Sequence, residues 1–147
     1  MEDRLLYNGN KLSLDYFDNL LKQNIWKAFA TIHAGIHHQM KIILRYKFNK
    51  DENDQPLGNH PEKWNIVNKK YFAPLAKDLF ILGIIKKDFE EEILRFNSDR
   101  NDKLGHINIY ESAEPSDDEI KQICLNGVEI VKELDKIIHD TFFTQPE

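Results

Sequence analysis

Apolar residues recur every three or four positions over most of this chain, which is the spacing of one buried helix face. The first run is Leu14, Phe17, Leu21, Ile25, Ala28, Ile32, Ile36, Met40 and Ile43. It predicts one long helix over 13–47, with Ser13 as its N-cap and Gly35 as the place where it can bend. At 1.5 Å per residue such a helix spans about 50 Å. Residues 48–60 are rich in Asp, Asn, Gly and Pro and nearly free of apolar side chains, so they read as a loop.

A second helical region is expected over 61–85. Pro61 suits a first helical position, and Trp64, Val67 and Tyr71 carry the period. Pro74 should break or kink it. Leu75 to Phe80 then continues as a short helix, and Leu82-Gly83-Ile84-Ile85 makes an apolar turn. The next helix is expected over 88–105, with Asp88 and Glu91 as a capping box and Gly105 as terminator. The last spans 117–142 behind the box Ser116-x-x-Glu119. Its inner face reads Ile120, Ile123, Cys124, Gly127, Ile130, Val131, Leu134, Ile137, Ile138 and Phe142. Ile107 to Tyr110 alternates, but four residues are too few for a strand. The fold class is therefore all-α: a single domain over 1–147, a bundle of four to five helices with long first and last members.

The composition agrees. The 147 residues suit one core, and 41% hydrophobic with 31% charged residues excludes wholesale disorder. A net charge of −5 argues against tight nonspecific binding of nucleic acid. The single cysteine, Cys124, falls on an apolar face and reads as a buried thiol in a reducing compartment. It excludes a cysteine-based zinc motif. The N-terminal residues Met-Glu-Asp-Arg do not begin a secretory signal, and no apolar run reaches membrane-spanning length, so a cytoplasmic protein without a membrane partner is expected.

Candidate chemistry is densest at Arg100-Asn101-Asp102-Lys103-Leu104-Gly105-His106. On a wheel of about 100° per residue, Phe89, Ile93 and Phe96 form one apolar stripe. Arg100 is next on its centre line, and Leu104 returns to the same face. A guanidinium there keeps its proton and must be paired or held at an interface. His106 supplies a base that titrates near neutral pH. In one unbroken helix the two residues point about 120° apart and stand about 9 Å apart along the axis. They converge only if Gly105 re-aims His106 or a second copy packs against the helix. Asp102, four residues before His106, can orient the imidazole and raise its pKa. The plainer reading is also open: Arg100 salt-bridged to a neighbouring helix, and His106 a surface residue at a helix C-terminus.

Arg100-Asn101 followed by His106, after a helix in a small all-helical chain, resembles the HEPN superfamily motif. The segment around Leu82 to Ile85, the helix from Asp88 and the long C-terminal helix are also similar to HEPN and mannitol-operon-repressor-like proteins. The resemblance covers about Tyr71 to Phe142. It implies a four- or five-helix bundle, dimeric through the motif helix, acting as a metal-independent endoribonuclease of the toxin or defence kind. It puts catalysis on Arg100 and His106, with Asn101 assisting and Asp102 supporting, on an RNA substrate and with no cofactor. It also brings an antitoxin or regulatory protein as partner. Other members are noncatalytic modules that bind a protein or a nucleotide, and that alternative stays open here. In some HEPN toxins a tyrosine two residues after the histidine is modified by the partner. Asn108 stands there instead, and the nearest tyrosine is Tyr110.

Three further features need less. His33 and His37 share a helix face with metal-pair spacing, but no acid completes a HExxH motif, so they and His38 read as a polar face. Lys41, Arg45 and Lys47, with Lys69-Lys70 and Lys86-Lys87, read as solvated faces rather than a basic patch. Glu90-Glu91-Glu92 reads as a favourable first turn.

Overall fold

The two long amphipathic runs are where the fold begins, because their apolar faces must find each other. In the computed structural model, which describes residues 14–51, 61–99 and 116–142, six helices are seen and no strand. They are α1 (Leu14–Gln23), α2 (Ile25–Asp51), α3 (Pro61–Asn68), α4 (Phe72–Ile81), α5 (Lys87–Asp99) and α6 (Asp117–Phe142). The protein is an all-α bundle, as the periodicity requires.

The helix α2 is the centre. Ile32, Ile36, Met40 and Ile43 are fully buried along the predicted face, but so is Leu44 beside it, and Ile42 and Phe29 are buried too. A helix buried on more than one side has neighbours all round it. The main one is α6, whose Ile120, Cys124, Leu134 and Ile138 are also fully buried. The pairing is set by three contacts. The Cys124 thiol faces the Ile25 carbonyl at 4.0 Å, Gly127 lies against Ile32, and the Gln39 amide donates to the Val131 carbonyl at 3.4 Å. Both helices therefore advance in the same direction while crossing.

The boundaries differ from the sequence expectation in four places. The expected single helix over 13–47 is two helices, interrupted at Asn24. There the Asn24 side-chain oxygen accepts from the Lys27 N–H at 3.1 Å and caps α2. The helix α2 passes through Gly35 and runs on to Asp51, past the expected loop start at 48. The region 61–85 is also divided, but upstream of Pro74. Tyr71 adopts an extended conformation, and Pro74 sits in the first turn of α4, where a missing N–H costs nothing. Finally, α5 starts one residue before Asp88. The Glu90 N–H donates to the Lys86 carbonyl at 3.0 Å, so Asp88 lies inside the first turn instead of capping it.

Other local signals hold. Ser116 Oγ accepts from the Glu119 N–H at 3.2 Å at the start of α6. Past α4, Gly83 takes φ +76°. Its N–H reaches the Phe80 carbonyl at 3.0 Å, and the Ile84 N–H reaches the Leu79 carbonyl at 3.0 Å. This is a Schellman stop, which a left-handed glycine makes possible. The expected caps and ends at Ser13 and Gly105, and the stretch Ile107 to Tyr110, lie outside the described residues.

Candidate functional site

Arg100, Asn101, Asp102 and His106, with Asn108 and Tyr110, lie outside the described residues. What the structure gives is the helix that leads into the motif and the helix that follows it. The leading helix is α5. Its stripe of Phe89, Ile93 and Phe96 is met largely within the chain. Ile93 and Phe96 are buried within the chain, and Phe96 lies 5.3 Å from the Phe29 ring of α2. Phe89 stays half-buried, while Ile93 and Phe96 leave nothing for a second copy to cover.

The same core takes in the histidines. His33 stacks on Phe72 of α4 with centroids 4.4 Å apart, and its Nε2 faces Asn97 Oδ1 of α5 at 3.3 Å. His37 contacts Phe72 edge-on, and its Nε2 donates to the Lys70 carbonyl at 3.0 Å. They are joints between α2, α4 and α5 rather than the expected open polar face. Burial holds the His37 imidazole below its ordinary pKa, with Lys41 adding to the effect against the hydrogen bond to Lys70. His38 is lowered for the same first reason, helped by Lys41 and His37. Among the described residues, no three of His, Cys, Asp or Glu are gathered as a metal site.

Two of the lysines are paired with acids. Lys70 pairs with Asp78 at 2.8 Å. Lys87 pairs with Glu90 at 2.7 Å and stands 4.9 Å from the Phe80 ring centre. Glu90 is 3% exposed, so it is a buried carboxylate held by one lysine and not a member of a solvated acidic turn. Cys124 is fully buried, and burial raises its thiol to about 11. It is not a nucleophile at neutral pH.

Two concavities run between α5 and α6. Near the end of α5, a cleft of about 240 Å³ is lined by Arg95, Phe96 and Asp99 from α5 and by Asn126, Glu129 and Ile130 from α6. Toward the start of α5, a groove of about 480 Å³ has Ile84, Ile85, Phe89 and Ile137 as its apolar lining. Glu92 and Glu129 border both, so the two adjoin. Early α5 faces late α6 in the groove, and late α5 faces earlier α6 in the cleft, so these helices are antiparallel. The rim is acidic: Asp88, Glu92 and Asp99 on one side and Glu129 and Glu133 on the other, against Lys86 and Arg95. The helical spacing of Glu129 with Glu133 and of Asp88 with Glu92 was visible in the sequence. That the two pairs border one groove was not.

No family model matches the chain, and no curated protein and no solved structure is similar to it. No described helix is long and apolar enough to cross a membrane.

Proposed function

We propose that the chain is a metal-independent endoribonuclease of the HEPN type, cytoplasmic, and of the toxin or defence kind. The observation that carries this is the Arg100-Asn101…His106 pattern itself, set between a core-packed helix and a long C-terminal helix of an all-helical bundle.

The chemistry needs few parts. His106 takes the proton of an RNA 2′-hydroxyl, and the oxygen attacks the adjacent phosphorus. Arg100 neutralises the charge that gathers on the pentacoordinate phosphate. The 5′-oxygen leaves with a proton from a general acid, giving a 2′,3′-cyclic phosphate and a 5′-hydroxyl. Asn101 assists at the phosphate, and Asp102 supports the imidazole. A homodimer through the motif helix would supply a second histidine as that acid, and this arrangement rests on the resemblance alone. The alternative is a noncatalytic module that binds a protein partner. It is favoured by the acidic α5–α6 rim, which repels a polyanion.

Incubating the purified chain with total RNA, with and without EDTA, beside Arg100→Ala and His106→Ala, separates them. The endoribonuclease cuts in EDTA, and both variants lose on the order of a hundredfold or more. Cleavage equal in all three proteins overturns the assigned site. A parent that leaves RNA intact decides for the module.

A further inference from the structure

We infer that the groove between α5 and α6 is a docking surface for a basic amphipathic helix of a partner protein. Its floor is apolar, and five acids border it and the adjoining cleft against Lys86 and Arg95. Ile84, Phe89 and Ile137 are each partly exposed there despite packing against the core. A groove lined in this way receives the apolar face of a helix.

The rims select the charge of what enters. Asp88, Glu92, Asp99 and Glu133 have no ion-pair partner among the described residues, whereas other surface acids do: Asp78 holds Lys70, and Glu129 is held by Lys132 at 3.1 Å. Acids left unpaired on both sides of an apolar trough repel one another across it. A helix with lysine or arginine flanking its apolar stripe relieves that repulsion on both sides at once. The groove and cleft together extend from Asp88 to Asp99 on α5 and from Asn126 to Ile137 on α6, about 16 Å along each helix. The occupant therefore contributes about three helical turns. A nucleic acid is excluded from this track by the same charges. The inference stands apart from the RNA-cleaving reading, because it uses none of the motif residues.

The probe is a fluorescein-labelled amphipathic peptide of about twelve residues, with leucines at i, i+3 or i+4, and i+7 and lysines on both flanks. Two controls accompany it: the same composition scrambled so that no apolar face forms, and the same face flanked by glutamates. Fluorescence anisotropy is read with the parent and Glu92→Gln/Glu133→Gln, both checked for folding by circular dichroism. The expected result is saturable binding of the basic peptide, at least about tenfold weaker in the double glutamine variant. The amide shifts on binding should map to α5 and α6. Equal binding of the scrambled peptide reduces the effect to bulk charge and overturns the proposal. So does preference for the glutamate-flanked peptide, no binding by the parent, or full binding by the double variant. If light scattering shows a parent dimer that the double variant dissolves, the occupant is a second copy, and the partner-helix proposal falls. RNA cleavage measured on the same proteins keeps the two readings apart. Loss of peptide binding with cleavage retained fails this inference alone, and the reverse fails only the endoribonuclease.

Discussion

Replacing Gly127 by alanine should destabilise this protein, although alanine is the better helix former by about 0.8–1 kcal/mol. Gly127 sits where α6 crosses α2 and meets α5. A Cβ built there lies 2.6 Å from Ile32 Cγ2 and 2.6 Å from Phe96 Cε2. Carbon contacts rest at about 3.5–4.0 Å, so roughly 1 Å must open on two sides. Neither neighbour gives easily. Ile32 is fully buried and β-branched, with one favoured rotamer in a helix, and Phe96 is wedged against Phe29. Overpacking of this kind costs about 1–3 kcal/mol. With two rigid neighbours the upper part of that range applies, and subtracting the helix gain leaves a net loss of about 1–2 kcal/mol. For a chain of this size that lowers the melting temperature by about 3–6 °C. Gly35 is the internal control. It also lies inside a helix, but a Cβ there meets nothing within 4 Å. Gly35→Ala should therefore gain about 0.5–1 kcal/mol. Urea and thermal unfolding of the parent and both variants decide the matter. If Gly127→Ala is as stable as Gly35→Ala, the close approach of α6 to Ile32 and Phe96 is wrong. With it would go the placement of the α5 segment that leads into the motif.

Three more outcomes are expected. His37 is held below 6.5 in the folded chain, so the unfolded chain takes up its proton first as pH falls. Its contribution is complete above about pH 7 and is lost as the pH drops through 6.5 toward the lower folded value. Stability measured from pH 7.5 to 5 should fall less steeply in His37→Gln, which keeps a donor for the Lys70 carbonyl; parallel curves would contradict this. Asn24→Ala removes the cap of α2 and should cost about 0.5–2 kcal/mol in urea unfolding. Cys124 should alkylate with iodoacetamide at pH 8 at least on the order of a hundredfold more slowly in the folded chain than in urea, read by mass spectrometry.

How far the sequence reaches is clearest along α6 and α5. On α6 the period alone marked Ile120, Cys124, Gly127, Leu134 and Ile138 as inward, and all are buried. On α5 the same reasoning found the stripe of Phe89, Ile93 and Phe96 but not that Phe29 of α2 meets its Phe96. A helical wheel states which face is apolar and says nothing about which neighbour meets it. For the same reason the glutamates looked alike. Glu90 is buried on Lys87 while Glu92 stands on the groove rim, because two residues of helix turn about 200° and carry a side chain from core to solvent. The break at Asn24 was missed because a side-chain cap set it, and Pro74 marked no break because a first turn absorbs it. The motif Arg100-Asn101…His106 was legible as a pattern of residue types only, and lies outside the described residues.

The sequence by itself determined that this protein is helical, which faces turn inward, and where Gly83 and Ser116 set helix ends. Those properties depend on residues within about one turn of each other. Only the tertiary structure decided that His33 and His37 join three helices through Phe72. Only it placed acids from two helices along one groove. Both arise from residues more than thirty positions apart, brought together by burying faces whose partners no local period specifies.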